Sequence, residues 1–300
     1  MEFQSGVVRP IGSIEKGWNI IKDDYWTFFS MTLVAIIILV VGAVILGFIN
    51  NIITFGISAV LGVATVNSGD AGKISAAILP QVISVFISIF TNFVVATLSG
   101  VLFCGIYTAL SRKASGEIAN FGDLFAGFQK IQSCLIVAIV LSGIQFVIAL
   151  VTLLGGAAVG FSAGLGMLTK DGKLNPAVFG GLFLVILVFV IFTFLINLII
   201  SALTAFVYPL ISEHNLSGGQ ALMLSAKSGL ANIGGLILLL LLLILMAVGG
   251  VLVCFVGIFF VAPIISATMF AAYQSVFGKS QDFYQHTPPP PPIFSNQQGY

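Results

Sequence analysis

The sequence predicts an all-α fold, a polytopic transmembrane helix bundle with six spans, on three observations. Of 300 residues, 59% are hydrophobic and only 7% charged, against roughly a quarter charged in a typical soluble domain. So few charged groups cannot clothe a 31.6 kDa globule in water, and lipid is the solvent that fits. Apolar runs also recur at membrane-crossing length, since about 20 helical residues rising 1.5 Å each traverse a hydrocarbon core of roughly 30 Å. Finally, the stretch from Ser228 to Gly278 carries no formally charged residue, and at 51 residues it is long enough for two spans.

Taken in order, residues 1–25 form an N-terminal segment with an amphipathic interface helix, and 26–278 form the transmembrane domain. Its spans are Trp26–Ile49, Val82–Leu110, Ser133–Gly155, Val178–Tyr208, Leu230–Val248 and Ile258–Val276, the last two turning at Gly249 and Gly250 and the short run to Gly257. The first apolar run begins too late and runs too long for a secretory leader, so it is expected to remain in the mature chain. Two weaker apolar stretches, Ile52–Val66 and Gly156–Leu168, follow odd-numbered spans and could extend the preceding helix, lie in the interface or re-enter. Residues 279–300 form a disordered, proline-rich tail.

Orientation follows from Lys and Arg near the span ends. Arg9, Lys16, Lys22, Arg112, Lys113, Lys130, Lys227 and Lys279 fall on one side, and Lys73, Lys170 and Lys173 on the other. Eight against three places both termini in the cytoplasm.

A repeat is legible in the segments before spans one, three and five. Each has a candidate N-cap, Ser13, Asn120 or Ser217, and a lysine nine or ten residues later, Lys22, Lys130 or Lys227. Ser217 and Gln220 have the spacing of a capping box. In the first copy Ile11, Ile14, Trp18, Ile21 and Tyr25 share a helical face; in the second, Ile118, Phe121, Phe125 and Phe128 do. The repeating unit is then an interface helix plus a two-span hairpin, used three times. The plainer alternative is that any loop leading into a span is amphipathic and carries a lysine.

The chemistry-bearing residues are sparse. A net charge of +1 with scattered Lys and Arg gives no footprint for nucleic acid. Cys104, Cys134 and Cys254 lack metal-ligand or disulfide-framework spacing and read as small buried hydrophobes. No ionisable group is expected inside the six spans: Asp70, Asp123, Asp171, Glu213 and His214 are all expected in loops, which argues against an intramembrane proton relay. Asn197, Ser201 and Thr204 share one face of the fourth span, with Asn92, Gln145 and Thr193 as other uncharged polar groups. That face is either a pore or substrate surface, or a set of interhelical hydrogen bonds. Gly156, Gly160 and Gly164 form a small-xxx-small series that either receives another helix or turns.

Glu213 and His214 are the one adjacent acid–imidazole pair, and with His286 in the tail they make no metal cluster. They read as solvated loop residues, so no cofactor and no catalytic set is expected. Pro288, Pro289, Pro290, Pro291 and Pro292 form a run suited to a polyproline II rod, which either docks into a protein partner or serves as a tether. The bilayer is the other expected partner.

Gly122-Asp123-Leu124-Phe125-Ala126-Gly127-Phe128 before the third span, Tyr208-Pro209-Leu210-Ile211 leading through Ser217–Lys227, and Ala271-Ala272-Tyr273-Gln274-Ser275-Val276-Phe277-Gly278 at the close carry a family likeness. The layout resembles bacterial six-span membrane proteins similar to the membrane domain of glycerophosphodiester phosphodiesterases. The resemblance implies a fold in the cell (inner) membrane and no catalytic residues, with no phosphodiesterase domain expected. The expected role is a binding, scaffold or accessory component, the alternative a transporter or permease for an apolar or amphipathic solute.

Overall fold

A computed structural model describes residues 6–64, 70–166, 176–253 and 256–278. Pro288–Pro292 and the rest of the tail lie outside the described residues, as do Lys170, Asp171, Lys173 and Cys254. Among the described residues the ordered elements are all helical: α1 (Pro10–Ile21), α2 (Tyr25–Ala64), α3 (Asp70–Ala114), α4 (Ile131–Gly166), α5 (Pro176–Thr204), α6 (Val207–His214), α7 (Gly218–Ala231), α8 (Ile233–Leu252) and α9 (Gly257–Phe277). Short 3-10 segments, Lys22–Asp24 and Phe121–Lys130, lead into α2 and α4.

Six of these stretches are long and apolar enough to cross a membrane, so the chain is a multi-pass membrane protein. The two ambiguous apolar stretches resolve into helix. Residues 52–64 continue α2 and residues 156–166 continue α4, carrying Gly156, Gly160 and Gly164 as helical positions. At 40 residues α2 is about 60 Å long, twice the hydrocarbon thickness. By contrast, α8 and α9, at 20 and 21 residues, are just long enough to cross. α8 ends at Leu252 and α9 begins at Gly257, so the change of direction falls in the short run up to Gly257 where the sequence allows it, past Gly249 and Gly250. Gly250 instead stays helical and meets Gly257 so closely that a Cβ on Gly257 would lie 2.4 Å from the Gly250 carbonyl oxygen.

The spans pack in the order α2, α3, α4, α5, α8, α9, and α9 returns to α2, which closes the ring. Around the ring the outward faces are hydrocarbon: Phe183, Leu184, Val188 and Val190 of α5 and Val44 and Phe48 of α2 are mostly exposed. The inward faces mix large apolar residues, such as Phe28, Met31, Leu236 and Leu239, with small and hydroxyl-bearing ones. In α9, Ser266, Ala267, Thr268, Ala271 and Ala272 are buried, and such small side chains let neighbouring backbones approach where the hydrophobic effect gives little between helices in lipid.

The segments between hairpins repeat one packing relation. α1 lies on α9 and α8, the 3-10 segment Phe121–Lys130 on α3 and α2, and α7 on α5 and α4. Each therefore docks onto the hairpin before it in the ring, with α1 closing the cycle. Glycine makes each contact. A Cβ at Gly17 would lie 2.6 Å from the Thr268 amide nitrogen, one at Gly127 1.9 Å from the Val101 oxygen, and one at Gly229 2.8 Å from the Ala202 oxygen.

Local details correct the sequence expectations. Ser13 is not a cap: Arg9 holds that position, and Ser13 donates to the Arg9 carbonyl at 2.9 Å from inside the first turn. Asn120 and Ser217 do occupy N-cap positions, and Ser217 and Gln220 bond reciprocally. The α1 face that packs is Ser13–Gly17–Ile21, while Ile11 and Trp18 point away from the bundle. Small residues set that face because α1 runs antiparallel along α9, with Gly6 at Ser275, Gly17 at Thr268 and the Tyr25 hydroxyl donating to the Phe260 carbonyl.

Candidate functional site

A polar cluster lies where α3, α6 and α9 converge. Pro209 has no N–H for the Ala205 carbonyl, and the long fourth span breaks there into α5 and α6. Ser225 of α7 repairs the break: its hydroxyl accepts from the Phe206 amide at 3.1 Å and donates to the Leu203 carbonyl at 2.8 Å. Beyond the break, α6 places its penultimate residue, Glu213, against α3 and α9. Its Oε1 accepts from the Ser111 hydroxyl at 2.7 Å, and its Oε2 accepts from the Tyr273 hydroxyl at 2.8 Å. One carboxylate thus joins the C-terminal parts of α3, α6 and α9.

The groups around it extend the join. Thr108 of α3 and Ser212 of α6 share a hydrogen bond of 3.0 Å. Lys130 donates from its ammonium to the Ile211 and Ser212 carbonyls, putting a cation on the last carbonyls of α6, where a helix end favours positive charge. Arg112 pairs with Asp123 at 2.6 Å, and the other Asp123 oxygen accepts from the Asn120 amide at 2.9 Å. Lys113 pairs with Asp24. Aromatic rings pack below the carboxylate: Tyr107 stacks on Phe270 at 6.3 Å and Phe206 tilts against Tyr273 at 6.2 Å.

Glu213 is therefore not the solvated loop residue that its sequence context suggests. It and His214 end a helix, Asp123 is part of the 3-10 segment, and Asp70 opens α3. Among the described residues the cysteines, Cys104 of α3 and Cys134 of α4, are buried and free, as read, and they meet, their sulfurs 3.6 Å apart. A separation of 30 residues with no motif gave no signal for that pairing. Among the described residues no group of His, Cys, Asp and Glu could hold a metal ion.

The polar groups of the fourth span make local and interhelical hydrogen bonds. Asn197 accepts from Gln145 Nε2 of α4 at 2.9 Å and donates to the Thr193 carbonyl at 2.9 Å. Thr204 donates to the Ile200 carbonyl of its own helix, and Ser201 is exposed. In the first hairpin Asn50 and Ser88 make a similar crosslink, at 3.1 Å between α2 and α3. Asn92 bonds back to the Ser88 carbonyl.

A cavity of about 240 Å³ opens among α2, α3, α8 and α9. Ala35, Leu102, Ile106 and Ala262 are among its wall residues, with Thr32, Ser99 and Ser266 as its hydroxyls.

No family model, no curated protein and no solved structure matches this chain.

Proposed function

We propose that this multi-pass membrane protein acts by binding, as a scaffold or accessory component of a cell membrane with both termini in the cytoplasm, and that it is not an enzyme. The observation that carries this reading is the Glu213 junction. Transport by alternating access rocks one part of a bundle against another around a site, whereas here the carboxylate ties α3, α6 and α9 together at one end. Docking of each connecting segment onto the preceding hairpin adds to that rigidity. A rigid bundle with an apolar rim is suited to presenting surfaces to lipid and protein. The likeness of Gly122–Phe128 and Ala271–Gly278 to the membrane domain of glycerophosphodiester phosphodiesterases is in keeping with it.

The proline run Pro288–Pro292 supplies a protein-binding element for such a component. Purification in mild detergent is expected to recover a protein partner, and deletion of residues 279–300 to release it. Recovery of the chain alone, with function retained after the deletion, would remove the tail from this reading.

The alternative, a permease for an apolar solute, is favoured by one observation, the apolar cavity. Asn197→Leu removes the acceptor for Gln145 and is expected to weaken the α4–α5 contact by about 0.6–2 kcal/mol. In proteoliposomes, solute flux that disappears when Ala35→Phe fills the cavity would replace the scaffold reading with the permease, whereas flux lost in Asn197→Leu would favour a path along the polar face of the fourth span, and unchanged flux there would exclude that face.

A further inference from the structure

We infer that the cavity among α2, α3, α8 and α9 is a binding site for one hydrocarbon chain, contributed by a membrane phospholipid or a free fatty acid. The inference rests on the reading of the protein as a binding component and names a ligand class for it.

The wall chemistry selects the ligand. Its hydroxyls are already engaged with their own helices: Thr32 donates to the Phe28 carbonyl at 2.9 Å, Ser99 to the Ala96 carbonyl at 2.9 Å, and Ser266 to the Ala262 carbonyl at 3.2 Å. No wall hydroxyl keeps a proton free to orient a polar solute. The hydroxyl oxygens can still accept, but these three are the only polar side chains on the wall, and a buried water needs two to four polar partners. What remains is aliphatic surface from Ala35, Leu102, Ile106 and Ala262.

Position and shape agree with a chain. The wall runs from Thr32 to Leu39 on α2 and from Ser99 to Ile106 on α3, about 10 Å along each helix axis. Every wall residue belongs to a stretch apolar enough to span a membrane, and four such stretches around one cavity set it where a bilayer supplies hydrocarbon. The cavity is partly open to the surface rather than enclosed, and Phe103 on its wall is 38% exposed. An apolar, elongated and accessible space at membrane depth fills from the acyl phase around it.

The probe is cis-parinaric acid, a fluorescent fatty acid, titrated into the delipidated full-length chain in detergent. The expected result is saturable binding at one chain per protein. Ala35→Phe and the milder Ala262→Leu place side chains in the cavity and should weaken binding at least about tenfold, since excluding two methylenes already does so. Val44→Phe, on an exposed outward face, should leave it unchanged. Elution volume and thermal midpoint confirm that each variant is folded. Non-saturable fluorescence, or equal affinity in Val44→Phe and both cavity variants, would overturn the site.

Organic extraction of the undelipidated protein distinguishes the sources. Chain recovered with stoichiometric phosphate identifies a phospholipid, and chain without phosphate a free fatty acid. The two readings also fail separately: absence of any protein partner with parinaric binding intact removes the scaffold and leaves the chain site standing.

Discussion

Glu213 illustrates how much one side chain decides. It receives hydroxyls from two other spans, and the Tyr273 side chain that donates one of them is fully buried. Glu213→Ala leaves both donors without an acceptor and is expected to lower stability by about 1–3 kcal/mol. Glu213→Gln retains one acceptor oxygen and should lose less. Denaturant titration in mixed micelles measures both, and equal losses in the two variants would contradict the two-donor geometry. Cys104 and Cys134 give a second residue-scale test. Their sulfurs at 3.6 Å must close to about 2.0 Å to bond, so a membrane-permeant thiol oxidant should form an intramolecular disulfide. Mass spectrometry of the oxidised chain should show that bridge and lose it in Cys104→Ser. Neither arrangement was legible in the sequence, because both join residues far apart in the chain through contacts that no local pattern encodes.

At the scale of elements, the close-packing glycines divide by what lies above them. A Cβ at Gly105 would lie 1.9 Å from the Leu124 carbonyl oxygen, which is backbone and cannot swing aside. Gly105→Ala is therefore expected to cost about 1–3 kcal/mol by overpacking the contact between α3 and the 3-10 segment. Gly42, in α2, has nothing within 4 Å, so Gly42→Ala should be neutral or stabilising by up to about 1 kcal/mol through helix propensity. Opposite signs in thermal unfolding are the expected outcome; destabilisation of both would mean that α2 carries an additional contact at Gly42. The elements themselves were largely readable: apolar length found the spans, and the Ser217–Gln220 spacing found a real capping box. The apolar face of α1 divides: Ile11 and Trp18 stay exposed, as an interface helix requires, while Ile14 and Ile21 pack inward and Ser13 and Gly17 complete the contact with α9, since close backbone approach in lipid also needs small residues.

For the whole molecule, the charge count on the loops predicts sidedness. With its own cysteines replaced, the chain should react with an impermeant thiol reagent from the cytoplasmic side when cysteine is placed at Lys113 or Lys279, and from the other side when it is placed at Lys173. Labelling of Lys113 and Lys173 from the same side would overturn the proposed topology. The ring order and the repeated docking of α1, the 3-10 segment and α7 each onto the preceding hairpin belong to this scale as well. The sequence suggested three repeats from caps and lysines, one of which, Ser13, is not a cap; the packing relation recurs more regularly than the motif that hinted at it.

By itself the sequence determined the solvent, the helical class and the six spans. Those follow from composition and run length, which are sums over neighbouring residues. Only the tertiary structure decided that Glu213 joins three spans, that two cysteines meet, that Asn197 binds Gln145, and that an apolar cavity remains among α2, α3, α8 and α9. Each of these depends on the relative placement of helices distant in the chain. In a membrane that placement is set by small-residue contacts and interhelical hydrogen bonds, which leave little trace in the hydropathy of any single segment.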